Sequence, residues 1–205
     1  MILGLLLMAA ALGLVLFNKW DSDRAGKESA QVLETLTEVI EENVEEYVSA
    51  AEDGEVRPPS MKAVYAEQRR IYPEMATEEV DGYLYIGVLD IPSLDISLPV
   101  MAEWDYDRLS IAPCRYEGSY YTDDLVICGH NYEKHFSPIK WIDIGAEVYF
   151  TTVEGETYRY TVSNRETVQP TAIEDMISGD DWDLTLFTCN TGGQTRCAVR
   201  CQRAE

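Results

Sequence analysis

The chain has 205 residues, with 16 Lys and Arg against 37 Asp and Glu, two His and five Cys, for a formal charge of −21. That length suits one ordinary domain with appendages. A hydrophobic share of 46% excludes a chain disordered throughout, and the acidity excludes nucleic acid or anionic lipid as a partner held by charge.

Residues 2–17 (ILGLLLMAAALGLVLF) carry no charged or polar side chain. A helix of a soluble domain that meets water on one side would show a polar face, and this run has none. The run therefore reads as a transmembrane signal anchor over residues 1–18, uncleaved because no small-x-small site ends it at Phe17-Asn18-Lys19-Trp20. Lys19, Arg24 and Lys27 follow the run and no cation precedes it, so the positive-inside rule alone puts the following side in the cytoplasm. Asp21, Asp23 and Glu28 dilute that cluster, and charge leaves the orientation open.

Residues 19–80 read as an acidic helical stalk or linker. Residues 18–56 hold twelve acidic and three basic side chains. Within them Leu33, Leu36, Ile40, Val44 and Tyr47 recur at helical spacing, with Glu34, Glu38, Glu41, Glu42, Glu45 and Glu46 on the other faces. The pattern predicts one amphipathic helix ending near Gly54, before Pro58-Pro59-Ser60. It is either a solvated stalk or a helix docked on the following domain or a partner.

Residues 81–205 change to strand patterns. Tyr83–Ile91, Ile96–Met101, Leu125–Cys128, Glu147–Thr152, 157–163, Leu184–Cys189 and 196–202 are short β-rich runs. Val153-Glu154-Gly155-Glu156 is a hairpin signal, and 170–180 reads as a loop or one helical turn. Short strands with few helices predict a mainly β fold, a small closed or half-closed barrel.

Three strand ends carry reactive groups. His130 follows Leu125–Cys128 directly after Gly129, at the strand's mouth, where the glycine permits close approach of backbone or ligand. His135 is the one other imidazole. Cys189 closes the run Leu184–Cys189 just before the glycine-rich turn Asn190-Thr191-Gly192-Gly193. Alternation puts Cys189 with Phe187 and Thr185 on one face, and Thr188 with Leu186 and Leu184 on the other. On the last strand Arg196, Ala198 and Arg200 share a face, opposite Cys197, Val199 and Cys201. A thiolate can attack a carbonyl to form a thioester, a His can pass a proton to the leaving amine, and an Arg can hold the oxyanion. Any Cys, His and Arg can be grouped this way, so the spacing alone is weak.

The order of the motifs is more specific. Thr185-Leu186-Phe187-Thr188-Cys189 resembles the T-L-x-T-C signature of sortases, with Gly129-His130 upstream and Arg196 downstream. Tyr85-Ile86-Gly87-Val88-Leu89-Asp90-Ile91-Pro92 and Leu98-Pro99-Val100 resemble that family's opening strands. The resemblance covers about residues 81–205. It implies a closed β-barrel of about seven to eight strands with short helices, preceded by the membrane helix and the acidic helix. It implies Cys189 as nucleophile, His130 as acid/base and Arg196 on the substrate carbonyl, with Arg200 the nearby competitor. Thr188, Leu186 and Asn190 are carried over as substrate contacts, and 167–177 as a wall of the groove.

The implied activity is that of a Gram-positive, membrane-anchored cysteine transpeptidase with a single span and an extracellular catalytic domain. It would cleave an LPXTG-like C-terminal sorting signal of secreted proteins and pass the acyl group to an amine of a peptidoglycan precursor or a pilin. No Asp-Pro lid motif and no apolar tail after Glu205 are found, which argues against the pilin-polymerising subclass, and the short segment before Cys189 argues against class B. Classes A, D and E are left, with class D preferred and class B second. The helix at 27–53 is a spacer or an autoinhibitory arm.

Three rivals stand beside this reading. A cysteine hydrolase of the same fold differs only in using water to resolve the thioester. A membrane-anchored binding module would leave Cys189 inert. A zinc site from Cys128, His130, Cys197 and Cys201 has weak spacing. No metal or cofactor is otherwise expected, although Asp105, Asp107, Glu174 and Asp175 are candidates by composition for a stimulatory calcium. The odd cysteine count leaves at least one free thiol, and Cys114–Cys128 and Cys197–Cys201 are conceivable disulfides.

Overall fold

The structure is a computed structural model that describes residues 2–52, 75–172, 176–177, 181–190 and 192–204. The apolar run and the acidic segment form one uninterrupted helix, α1 (Ile2–Glu52). Every large apolar side chain from Ile2 to Phe17 stands exposed, and the helix is long and apolar enough to cross a membrane. Beyond it, Ser22, Ala25, Ser29, Val32, Leu36 and Ile40 are buried, three or four residues apart. This stripe shares Leu36 and Ile40 with the expected one but runs earlier and uses small residues. Leu33 is half-buried and Val44 exposed, while the side chain of Tyr47 lies outside the described residues. Gly54 and Pro58-Pro59-Ser60 also lie outside them.

The second part of α1 is docked, against β1 and β3. Gly26 permits the approach, since a Cβ there would stand 2.8 Å from Cβ of Lys134. The glycine costs about 1 kcal/mol of helix propensity, which burial of Val32, Leu36 and Ile40, at roughly 1.5–3 kcal/mol each, outweighs. Further along, Asn43 Nδ2 donates to the Val153 carbonyl at 3.0 Å.

Among the described residues there are nine strands: β1 (Glu78–Val80), β2 (Tyr83–Ile91), β3 (Ile96–Met101), β4 (Cys114–Glu117), β5 (Leu125–Cys128), β6 (Glu147–Thr152), β7 (Thr157–Val168), β8 (Leu184–Cys189) and β9 (Arg196–Arg203). Their order is β1-β2-β3-β4-β5-β8-β9-β7-β6, and β6 returns to pair with β2, so the eight strands β2 to β9 close a barrel. The pairs β3–β4 and β5–β8 are parallel and the others antiparallel. Two strands go beyond the sequence reading. β1 falls in the stretch read as stalk, and β4 joins β3 only through Met101↔Cys114, too short to show a period. A short helix, α2 (Tyr106–Leu109), follows β3.

Alternation sorts side chains to two sides of the sheet. Leu125 and Ile127 of β5, Leu184 and Leu186 of β8, and Cys197, Val199 and Cys201 of β9 fill the barrel interior. Val126, Cys128, Phe187 and Ala198 face outward into a second cluster, which includes Val32, Leu36 and Ile40 of α1. Cys189 and Arg196 belong by the same alternation to this outer face.

Candidate active site

The pairing of β8 with β9 sets Cys189 directly opposite Arg196, where side chains on one face meet. The parallel pairing of β5 with β8 ends at Cys128↔Phe187. The Gly129 amide donates to the Phe187 carbonyl at 3.0 Å and Thr188 Oγ1 donates to the Gly129 carbonyl at 2.9 Å. The register therefore carries forward, so that His130 leaves β5 level with Cys189. The three residues come from distant parts of the chain and line one cavity of about 230 Å³. Gly129 is required by packing: a Cβ there would lie 2.3 Å from Cγ of the buried Phe136 ring. It is this ring, not a ligand, that makes the close approach.

The cavity is polar on one side and aromatic on the other. His130, Asn131, Thr188, Cys189 and Arg196 supply the polar side, facing Trp104, Tyr106, Tyr116 and Phe187. The Tyr116 ring stands 5.2 Å from Trp104 and 5.1 Å from Phe187. Trp104 and Tyr106 were not singled out from the sequence; two exposed aromatics in the acidic stretch Glu103-Trp104-Asp105-Tyr106-Asp107 were the available signal. Of the stretch 167–177, Pro170 and Met176 reach the cavity, and 173–175 lie outside the described residues. No α1 residue lines it, so the described part of the acidic helix does not plug the site.

Cys189 differs from the other four thiols. It is partly open to solvent, whereas Cys114, Cys128, Cys197 and Cys201 are buried. Burial pushes the thiols of Cys128 and Cys201 up to about 12, and those of Cys114 and Cys197 upward as well. A buried thiol with a raised pKa is inert at neutral pH.

The Arg196 Nη1 donates to the carbonyls of Gly193 (3.0 Å) and Thr195 (3.3 Å), which holds its guanidinium at the turn beside Cys189. Arg200 is occupied elsewhere. It is fully buried, bonded to Glu166 (2.9 Å), Thr185 (2.9 Å) and the Met176 carbonyl (3.2 Å), and stacked on Trp182.

The His130 ring is exposed on one side and stacks on Tyr132 on the other, with centroids 3.9 Å apart and planes 7° apart. Loss of water draws its pKa below the ordinary His value, and the Asp21 carboxylate pulls the other way. Tyr132 Oη donates to Asp21 Oδ2 at 2.6 Å. That bond, with Arg24 beside it, keeps Asp21 below the usual carboxylate range. Burial, then the bond to Asp21, pushes the Tyr132 phenol up to about 12. His135 is buried outside the cavity, and its Nε2 lies 3.0 Å from Ser29 Oγ on α1.

The remaining expected contacts separate. Thr188 is buried at the cavity wall, tying the two strands together. Leu186 alternates with Phe187 and points into the barrel interior, fully buried and away from the cavity. Asn190 braces the β8–β9 turn, donating to Thr195 Oγ1 at 2.8 Å. Cys128 lies on the outer face and Cys197 and Cys201 on the inner one, so the zinc set does not converge. Cys114 and Cys128 are paired neighbours, both as free thiols. Cys197 and Cys201 are four residues apart on one strand, about 13 Å. Asp105 caps α2, accepting from the Arg108 amide at 2.7 Å. Glu174 and Asp175 lie outside the described residues.

A family model described as a sortase domain matches residues 89–204. Among solved structures, the chain is similar to sortase A from Corynebacterium diphtheriae, with 19% identity over 82% of this chain and 95% of that one and a TM-score of 0.59. It is similar to sortase C1 from Streptococcus agalactiae, with 18% identity, 86% and 97% coverage and a TM-score of 0.60. A sortase C from Clostridium perfringens, determined with the C-terminal cell wall sorting motif, matches at 21% identity with a TM-score of 0.56, covering 86% of this chain and 97% of that one. These likenesses speak for the fold, and the class D preference gains no support from them. No curated protein sequence matches the chain.

Proposed function

Because this chain belongs to the sortase family, we propose that it is a membrane-anchored cysteine transpeptidase with Cys189, His130 and Arg196 as its working residues. The observation that carries this is the cavity shared by those three side chains, in which Cys189 is the one thiol of five that is not buried. The Cys189 thiolate attacks the carbonyl of the scissile peptide bond, and a carbon–sulfur bond forms. Arg196 pairs with the oxyanion so created. His130, as imidazolium, gives its proton to the nitrogen as the carbon–nitrogen bond breaks, leaving a thioester and a free amine. The neutral imidazole then takes a proton from an incoming amine, which attacks the thioester and releases Cys189.

The substrate is an extended peptide whose apolar residues meet the Trp104, Tyr116 and Phe187 wall, of the Leu-Pro-X-Thr-Gly type. The acceptor is an amine of a wall precursor or a pilin. The apolar start of α1 spans the membrane, with the barrel on the outer side, where such substrates are found. Asp21, beside His130, is four residues past Phe17. At about 1.5 Å per residue this sets the site close to the bilayer surface, where a sorting signal followed by its own membrane segment would be presented.

The test uses the full chain in detergent micelles with Leu-Pro-X-Thr-Gly peptides and intact mass. A thioester adduct on Cys189 that is absent in Cys189→Ala, and is released as a new amide by an added amine, is the expected result. Release only as the acid would turn the reading to the hydrolase. A reactive Cys189 thiol with no adduct from any peptide would overturn the peptide substrate.

A further inference from the structure

We propose that Asp21, acting through Tyr132, is a positioning residue for His130, so that the membrane-proximal turn of α1 is a working part of the site. This rests on the acyl-transfer reading above.

His130 stands at a rim, on a loop, where an imidazole with two free torsions samples several orientations. One of its faces is fixed by the Tyr132 ring, near-parallel at 3.9 Å. A stacked ring fixes a partner only if it is itself fixed, and Tyr132 is held at its far end by Asp21. Asp21 in turn is fixed by Arg24, whose Nε (3.2 Å) and Nη2 (2.9 Å) both donate to Oδ1, leaving Oδ2 for the phenol. Arg24 Nη1 donates to Glu28 at 2.7 Å, so the acceptor sits on a braced ladder along one helix face. A second clamp, His135 to Ser29, joins the same loop to the same helix, and the Tyr132 ring meets His135 edge-on at 5.5 Å.

The chain of contacts also has an electrical sense. A phenol that donates to a carboxylate has a more electron-rich face, and an imidazolium over that face is favoured. Among the described residues, the groups around His130 are Asp21 and Arg24 from α1, Tyr132 and His135 from its own loop, Cys128 from β5, Cys189 from β8, Arg196 from β9, and Tyr106 and Tyr116 across the cavity. Asp21 is the carboxylate of this set. Its charge favours the imidazolium, so removing it takes away a carboxylate that holds the proton on His130. Close packing alone does not call for such a group, because Asp21 and Tyr132 are each only half-buried.

The test uses the full chain in micelles, labelled at its two histidines, with His130→Gln assigning the signals. Tyr132→Phe keeps the stack and loses the bond to Asp21. Asp21→Asn keeps an acceptor and loses the charge. The expected result is a His130 titration midpoint lower by about half a pH unit in each, and no lower in the double variant. The basic limb of the pH profile for acyl-enzyme formation moves down by the same amount, kcat falls about three- to tenfold with KM unchanged, and Asp21→Glu restores most of both. A midpoint within about 0.1 unit of wild type in both variants overturns the proposal. So does a lowered Tm with an unmoved titration, which marks a structural latch. The titration needs no substrate, so it decides this point even if no peptide acylates Cys189.

Discussion

Acidification from pH 7 to pH 5 should destabilise the fold through His135, and the size of the effect follows from its surroundings. The ring is fully buried between its loop and α1. Burial holds its pKa down to about 4, against an ordinary value of 6.5; a bond to the Ala25 backbone pulls the other way, and the nearby charges of His130 and Arg24 add to the lowering. An unfolded chain takes up the proton near 6.5, and the folded one refuses it until about 4. Between those values the unfolded state binds more protons, so stability is lost as pH falls. The contribution is fully present above about pH 7. It has dropped by about 2 kcal/mol at pH 5 and by about 3 kcal/mol once pH passes below 4. Urea unfolding of the full chain in micelles, followed by tryptophan fluorescence at pH 7, 6 and 5, reads this directly when wild type is compared with His135→Gln. Gln takes no proton, and the carboxylates common to both chains cancel. The stability difference between the two should shrink by about 2 kcal/mol from pH 7 to 5. A difference constant to within about 0.5 kcal/mol would show that the folded ring accepts its proton as easily as the unfolded one, and would refute the reasoning.

Gly129→Ala should cost about 1–3 kcal/mol, because its methyl meets the Phe136 ring, and acylation of Cys189 should slow as the His130 loop shifts; urea midpoints and adduct rates measure both. Arg200→Ala should cost about 3 kcal/mol in unfolding free energy, since it strips Glu166 and Thr185 of their shared donor. Arg196→Ala should instead leave the urea midpoint nearly unchanged and lower the acylation rate by at least about tenfold. Gly26→Leu should separate α1 from Lys134, and hydrogen exchange along 22–40 should then rise to the level of an undocked helix.

The residues of the candidate site were legible as a group because their signals are local. The order Gly129-His130, Thr188-Cys189, Arg196 can be read along the line of the chain. Strand alternation then separates Leu186 from Phe187 and places Cys189 with Phe187 on one face. The same periodicity misled where small residues did the packing. Ser22, Ala25, Gly26 and Ser29 carry no hydrophobic signal, yet they let α1 come close to the His130–His135 loop. A stripe counted from Leu33 onward therefore began too late. β4 was missed because four residues with a single bridge to β3 leave no period to count.

Composition and pattern were enough to establish an apolar N-terminal helix, a β-rich domain and a cysteine, a histidine and an arginine at three strand ends, since each depends on neighbours in sequence. Which of those ends meet depended on strand pairing across gaps of tens of residues. β5 lies beside β8, which sets His130 level with Cys189, and β9 beside β8 sets Arg196 opposite it. The fates of Arg196 and Arg200, alike in kind and four residues apart on one face, were separated only by what the folded barrel puts next to each. One borders an open cavity, and the other is enclosed by Glu166, Thr185 and Trp182. The acidic helix owes its place beside the histidine to the same kind of long-range contact, which no local pattern encodes.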